Sequence, residues 1–152
     1  ICAQLLKHNA LMGGEESGGI SLREHVHERD GILNGLLLLE MMAVNGKSLK
    51  KLVQDLFHEF GEFHFARDDH HLSPEKIADV KKIIAEKNIK DVGGIAVTRT
   101  DTQDGTKVSF ADDSWLLMRA SGTEPLLRVY AEASSPARVQ ELLDFAKTYL
   151  KL

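Results

Sequence analysis

Arg119-Ala120-Ser121-Gly122-Thr123-Glu124-Pro125, with Arg128 three residues further on, lies between two strand-like runs. Trp115, Leu116, Leu117 and Met118 lead in, and Leu127, Val129, Ala131 and Ala133 alternate on the way out, so the pattern predicts a turn joining two strands. Such a turn carries two guanidinium groups, two hydroxyls and a glycine. Arginine forks match phosphate oxygens bidentately, Ser121 and Thr123 can donate, and Gly122 lets a backbone N–H come close without a Cβ in the way. The same residues also describe a surface turn with a structural Arg–Glu pair, because short anion-binding turns follow no strict code.

Working outward, residues 95–101 and 107–110 flank Asp104-Gly105, a hairpin signal. Ser73-Pro74 opens a helix carrying Ile77, Val80, Ile83 and Ile84, with proline where its missing N–H costs nothing. Ser135-Pro136 opens another, with Val139, Leu142, Leu143, Ala146, Tyr149 and Leu150 on one face. The expected fold class is therefore α+β. Residues 61–152 should form a two-layer domain with a four-stranded antiparallel sheet and two helices on one face. Residues 62–72 read as extended and linker-like, which places a boundary between residues 1–60 and 61–152.

The first 60 residues have a different texture. Residues 1–10 read as a helix that begins without a cap, as expected of a piece of a longer chain. Gly13-Gly14-Glu15-Glu16-Ser17-Gly18-Gly19 forces a loop. Asp30 caps a helix over 32–44 that ends at Asn45-Gly46, and Ser48 caps a second that runs to Phe60 and stops at Gly61. Leu33, Leu36, Leu37, Leu38, Leu39, Met41 and Met42 make the first helix apolar nearly all round, so it expects cover on more than one side, from missing sequence or by self-association.

Composition narrows the function classes. The 152 residues carry a net charge of −4, which supplies no basic footprint for nucleic acid and no polybasic membrane patch. Any anion must be bound locally. The 32–44 stretch falls short of the roughly 20 residues that a membrane-spanning helix needs, and no signal-peptide pattern opens the chain. Cys2 is the one cysteine, which rules out an internal disulfide and fits a cytoplasmic protein.

Taken in order, Gly14-Glu15-Glu16-Ser17-Gly18, then His25-Val26-His27-Glu28-Arg29-Asp30-Gly31, then the Arg119–Pro125 turn, this chain resembles the α-D-phosphohexomutases, the phosphoglucomutase and phosphomannomutase family. The likeness covers essentially the whole chain but only the final part of the family's four-domain length: the α/β tail of the third domain and all of the fourth. The resemblance implies that Glu15 and Ser17 hold hydroxyls of a hexose phosphate, while Arg119, Ser121, Gly122 and Thr123 hold its non-reacting phosphate. Arg128, on the next strand, adds charge and ranks below Arg119. It further implies a phosphoserine and a Mg2+ site in the remaining N-terminal domains, with a hexose 1,6-bisphosphate intermediate that turns end for end. Neither the phosphoserine loop nor the magnesium loop is in this sequence, so no catalytic and no metal residue is assigned, and the chain alone is expected to be inactive.

Four features bear on that resemblance. Relatives with G-E-M-S-G-H carry a histidine where Gly19 stands, so that histidine's role has no bearer at this position. His25 matches a family histidine and serves either the substrate or the loop's own hydrogen bonding. Asp101, Asp104, Asp112 and Asp113 lack the spacing that gathers oxygens round magnesium and read as turn formers. His58, Glu59, Glu62, His64, His70 and His71 lack the i, i+4 histidine pair of zinc helices and read as polar surface. A free-standing phosphosugar-binding module and a purely structural α+β domain remain alternatives at this stage.

Overall fold

The structure, a computed structural model, describes the chain apart from residues 1, 16, 17, 27, 87 and 123. It resolves into two compact units, residues 1–59 and 60–152.

The first unit begins with α1 (Cys2–His8) and a two-stranded antiparallel ribbon, β1 (Met12–Gly14) and β2 (Ile20–Leu22). Two helices follow, α2 (Gly31–Asn45) and α3 (Leu49–Phe60). The Asp30 carboxylate accepts from the N–H groups of Ile32 and Leu33, both at 3.0 Å, which fixes the start of α2. Gly46 ends it at φ 60°, the left-handed cap that glycine adopts without strain. Ser48 Oγ accepts from the Lys51 N–H and starts α3. Neither helix buries a single residue, and Ile32 and Val44 are 81% and 80% exposed.

The second unit contains β3 (His64–His71), α4 (Pro74–Ala85), β4 (Asp91–Val92), β5 (Ile95–Asp101), β6 (Thr106–Phe110), β7 (Trp115–Ala120), β8 (Leu126–Ala133) and α5 (Pro136–Leu150). The strands form one antiparallel sheet in the order β3-β8-β7-β6-β5-β4. This corrects the four-stranded expectation. The six-stranded sheet gains β3 at one edge and β4 at the other, and both were hidden for physical reasons. β3 reads as a linker because its residues are polar on both faces, the composition that suits an edge strand, yet it pairs with β8 along its whole length from His64↔Ala133 to His71↔Leu126. β4 is two residues long and is defined by the Gly93-Gly94 turn that pairs Val92 with Ile95, too short to leave a period.

Both helices start as the sequence predicts. Ser73 and Ser135 accept from the N–H groups of Lys76 and Arg138. Ile77, Val80 and Ile84 of α4 and Val139, Leu142, Leu143, Ala146 and Leu150 of α5 pack with Val108, Phe110, Leu116, Met118, Leu127, Val129 and Ala131 into one buried core. Those strand residues share one sheet face, so strict alternation sends Lys107, Leu117, Arg119, Arg128 and Tyr130 to the other. Arg138, 8% exposed, pins the start of α5 to the sheet side through Asp112 (3.0 Å) and the Val92 carbonyl (2.9 Å), and pairs within the helix with Glu141 (2.8 Å).

Candidate functional site

The β7–β8 hairpin positions the arginine turn. Its register places Arg119 directly opposite Arg128, with Leu117 opposite Tyr130 behind them. Directly opposed like charges destabilise a sheet unless an anion lies between or above them. Arg119 makes an ion pair through Nε with Asp104 at 3.1 Å, and both side chains stay well exposed, at 43% and 69%. Arg128 differs. Its Nε is buried without a hydrogen-bond partner, and among the described residues it makes no ion pair. Its other cross-strand neighbour, Asp69, is engaged by Arg67 at 3.0 Å. A buried donor left unpaired costs about 1–3 kcal/mol, more when charged, so Arg128 is the group in this region with most to gain from an anion.

The turn itself is held by its backbone. Ser121 N–H donates to the Leu126 carbonyl at 2.7 Å, Leu126 N–H to Glu124 at 2.7 Å, and Ser121 Oγ accepts from Glu124 N–H at 3.2 Å. A Cβ placed on Gly122 would meet nothing within 4 Å, and the residue is not in the left-handed region. Its glycine is therefore not demanded by the fold. Thr123 lies outside the described residues. Elsewhere on this open face the charges are matched: Trp115 Nε1 donates to Glu132 at 2.9 Å, Lys107 sits 4.0 Å from the Trp115 ring centre, and Arg99 pairs with Asp101 at 3.0 Å.

In the first unit the β1–β2 loop is closed by Glu15 N–H donating to Gly19 (2.9 Å) and Gly18 N–H to Glu15 (3.0 Å). The Glu15 carboxylate forms an ion pair with Arg29. Gly19 allows this, because a Cβ there would collide with the Cγ and Cδ of Arg29 and would lie 3.5 Å from Glu15 Oε2. At this position the chain passes an arginine stem over a glycine. Ser17 lies outside the described residues. His25 Nε2 bonds Asp30 Oδ2 at 2.9 Å, so this histidine steadies the cap of α2. The Leu33 N–H and then His25 hold the Asp30 carboxyl below its ordinary value.

The expected turn formers divide. Asp101 accepts from the Gln103 N–H (2.9 Å) and Asp112 from both the N–H and hydroxyl of Ser114, while Asp113 takes a left-handed φ of 62°. Asp104 forms no turn hydrogen bond among the described residues; its partner is Arg119. Asp101, the last residue of β5, and Asp104 sit at one end of the β5–β6 hairpin, whereas Asp112 and Asp113 lie beyond the other end of β6. Among the described residues, no three His, Cys, Asp or Glu side chains converge to hold a metal ion, and no helix is long and apolar enough to cross a membrane.

Residues 1–60 match the family described as phosphoglucomutase/phosphomannomutase, alpha/beta/alpha domain III, and residues 68–147 match its C-terminal domain. The chain belongs to the phosphoglucomutase/phosphomannomutase family. Among the members of this family, a phosphoglucomutase/phosphomannomutase of Thermococcus kodakarensis is 35% identical over 95% of this chain and 29% of its own length. A phosphoglucosamine mutase of Methanococcus aeolicus is 35% identical over 93% of this chain and 29% of its own. The crystal structure of a putative phosphomannomutase from Thermus thermophilus superposes with a TM-score of 0.71 at 34% identity, covering 100% of this chain and 29% of that one. The chain thus spans about 29% of the length of these phosphohexomutases.

Proposed function

We propose that this chain is the substrate-gripping C-terminal part of a phosphohexomutase, an isomerase that interconverts hexose 1-phosphate and hexose 6-phosphate through a hexose 1,6-bisphosphate. What supports this reading is the opposed pair Arg119 and Arg128 beside the Ser121-Gly122 turn, with the Nε of Arg128 desolvated and unpaired. A dianionic phosphoryl group supplies the missing counter-charge, and the open space at Gly122 admits its oxygens to the backbone. Glu15 and Ser17 hold ring hydroxyls, and the ion pair with Arg29 fixes the position of the Glu15 carboxylate for that task.

The division of labour suits an intermediate that turns end for end. A grip on hydroxyls and on the phosphate not being transferred reads groups that occupy similar places in both orientations, and it spends remote binding energy on positioning. Phosphoryl transfer itself needs a nucleophile that carries phosphate and a cation such as Mg2+ that neutralises developing charge. The sequence has neither a phosphoserine loop nor a magnesium loop, and no three metal-ligating side chains converge among the described residues, so we assign both roles to the remainder of the enzyme and expect this chain alone to be inactive. Because relatives include phosphoglucosamine mutases, the sugar is a glucose, mannose or glucosamine phosphate.

Calorimetric titration with glucose 6-phosphate tests the phosphate grip. Replacing Arg119 or Arg128 by alanine removes charge-assisted hydrogen bonds worth about 1.5–3 kcal/mol, so each variant should bind roughly 10- to 100-fold more weakly. Equal binding by Arg119→Ala, Arg128→Ala and the parent chain would remove the proposal. Mixing the chain with the N-terminal remainder and assaying mutase turnover tests the wider reading.

A further inference from the structure

We infer that Asp104 is a positioning residue for the phosphate grip: from the β5–β6 turn it holds Arg119 by Nε and so presents the terminal nitrogens of the guanidinium to the ligand. The inference rests on the phosphate reading above and adds a residue that the arginine turn does not contain.

Three observations converge on it. The ion pair engages Nε of Arg119 (3.1 Å), and no partner occupies its terminal nitrogens among the described residues. An arginine held at Nε keeps its NH1/NH2 edge free for two parallel hydrogen bonds to a phosphoryl group. Next, Asp104 has no structural task of its own. Asp101 builds the turn by accepting from Gln103 N–H and pairing with Arg99, which leaves Asp104 committed to Arg119 alone among the described residues. Finally, the turn is seated against the strand at this residue. Gly105 has φ +81°, and a Cβ there would come within 2.6 Å of the Met118 carbonyl oxygen and 3.0 Å of the Arg119 Cβ. The missing side chain lets the β5–β6 turn lie directly on β7 beside Arg119, which fixes the place from which Asp104 reaches.

Electrostatics makes the arrangement useful. Arg119 and Arg128 face each other across the hairpin and repel, so an untethered Arg119 would swing toward solvent and away from its opposite number. Asp104 opposes that swing from the far side. Its carboxylate also repels an incoming phosphoryl group, so the arrangement favours binding only if orientation outweighs that repulsion. The opposite balance would make Asp104 a competitor for Arg119, and the two predict opposite signs.

The test follows the Arg119 Nε–H signal by NMR in the 152-residue chain while glucose 6-phosphate, and separately inorganic phosphate, is titrated. Parent, Asp104→Asn, Asp104→Glu and Arg119→Ala are compared, with backbone signals of the core strands reporting that each variant is folded. Asp104→Asn should weaken both ligands about tenfold, the lower end of what losing an orienting partner does at metal sites, and shift the Nε–H signal. Asp104→Glu should recover part of the affinity. Unchanged or tighter binding by Asp104→Asn would overturn the inference, as would a loss with no movement of the Nε–H signal. Should Arg119→Ala bind like the parent, the phosphate reading fails first, and the role of Asp104 goes with it.

Discussion

The two units are built from helices of similar quality and end in opposite states. In residues 60–152, α4 and α5 place a stripe of Ile, Val and Leu on the sheet and bury it completely at Val80, Leu142 and Leu150. In residues 1–59, α2 and α3 are well capped and rich in leucine, yet no residue of either is buried. A cap and an apolar stripe make a helix possible; only a matching surface makes it stable. The alpha/beta/alpha layering named for the family match over residues 1–60 calls for a larger sheet under these helices than the two-stranded ribbon that the described residues form. That difference yields predictions of decreasing size.

Core truncation should separate the units most sharply. Leu142→Ala should cost about 3 kcal/mol of the stability of the second unit, whereas Leu36→Ala should stay within about 0.5 kcal/mol, both read by chemical denaturation. Equal effects would show that α2 is covered in solution, and sedimentation at rising concentration would reveal whether a second copy covers it. Hydrogen exchange carries the same contrast. Amides of β6 to β8 should exchange at the global unfolding rate and those of α2 far faster.

Breaking the buried arginine network comes next. Arg138→Met leaves Asp112 and Glu141 without their cation and should cost about 2 kcal/mol, less than a fully enclosed pair because both carboxylates keep contact with water. A null effect would mean that methionine packing on Phe110 makes good the loss.

The smallest effect is on pH. Burial pushes the Asp112 carboxyl up, but the hydroxyl and N–H of Ser114 and the charge of Arg138 together bring it below its ordinary value. Its folded-state value lies below its unfolded one, so its contribution is complete above an unfolded value of about 4 and disappears as pH falls through the lower folded value. Lys147 runs the other way. Its hydrogen bond to Asp68 at 2.8 Å raises it, so the tie between α5 and β3 is present below the ordinary lysine value and is lost in strong alkali. Thermal melts across pH should show the acid loss shrink in Ser114→Ala.

Much of this was legible beforehand because the signals are local. Serine before proline, Asp30 before an apolar run and Asp104-Gly105 between alternating residues each specify their element within a few positions, and the structure has all of them. What escaped depends on partners distant in sequence. β3 has no hydrophobic alternation because its stability comes from pairing with β8, which lies far along the chain. The opposition of Arg119 and Arg128 needed the hairpin register, which follows only once the Ser121–Leu126 hydrogen bond is known. Arg29 was invisible as the partner of Glu15 because nothing in the spacing of 14 residues announces that Gly19 leaves room for its stem.

The polar edge strand also decides where the second unit can be excised. The family match to the C-terminal domain starts at residue 68, but β3 starts at His64 and the compact unit at residue 60. A gene cut at codon 68 would remove the half of β3 that pairs with Tyr130–Ala133, turning that half of β8 into a bare rim of Tyr, Ala, Glu and Ala. Such a rim recruits further strands, so that product should precipitate where one begun at residue 60 stays dissolved.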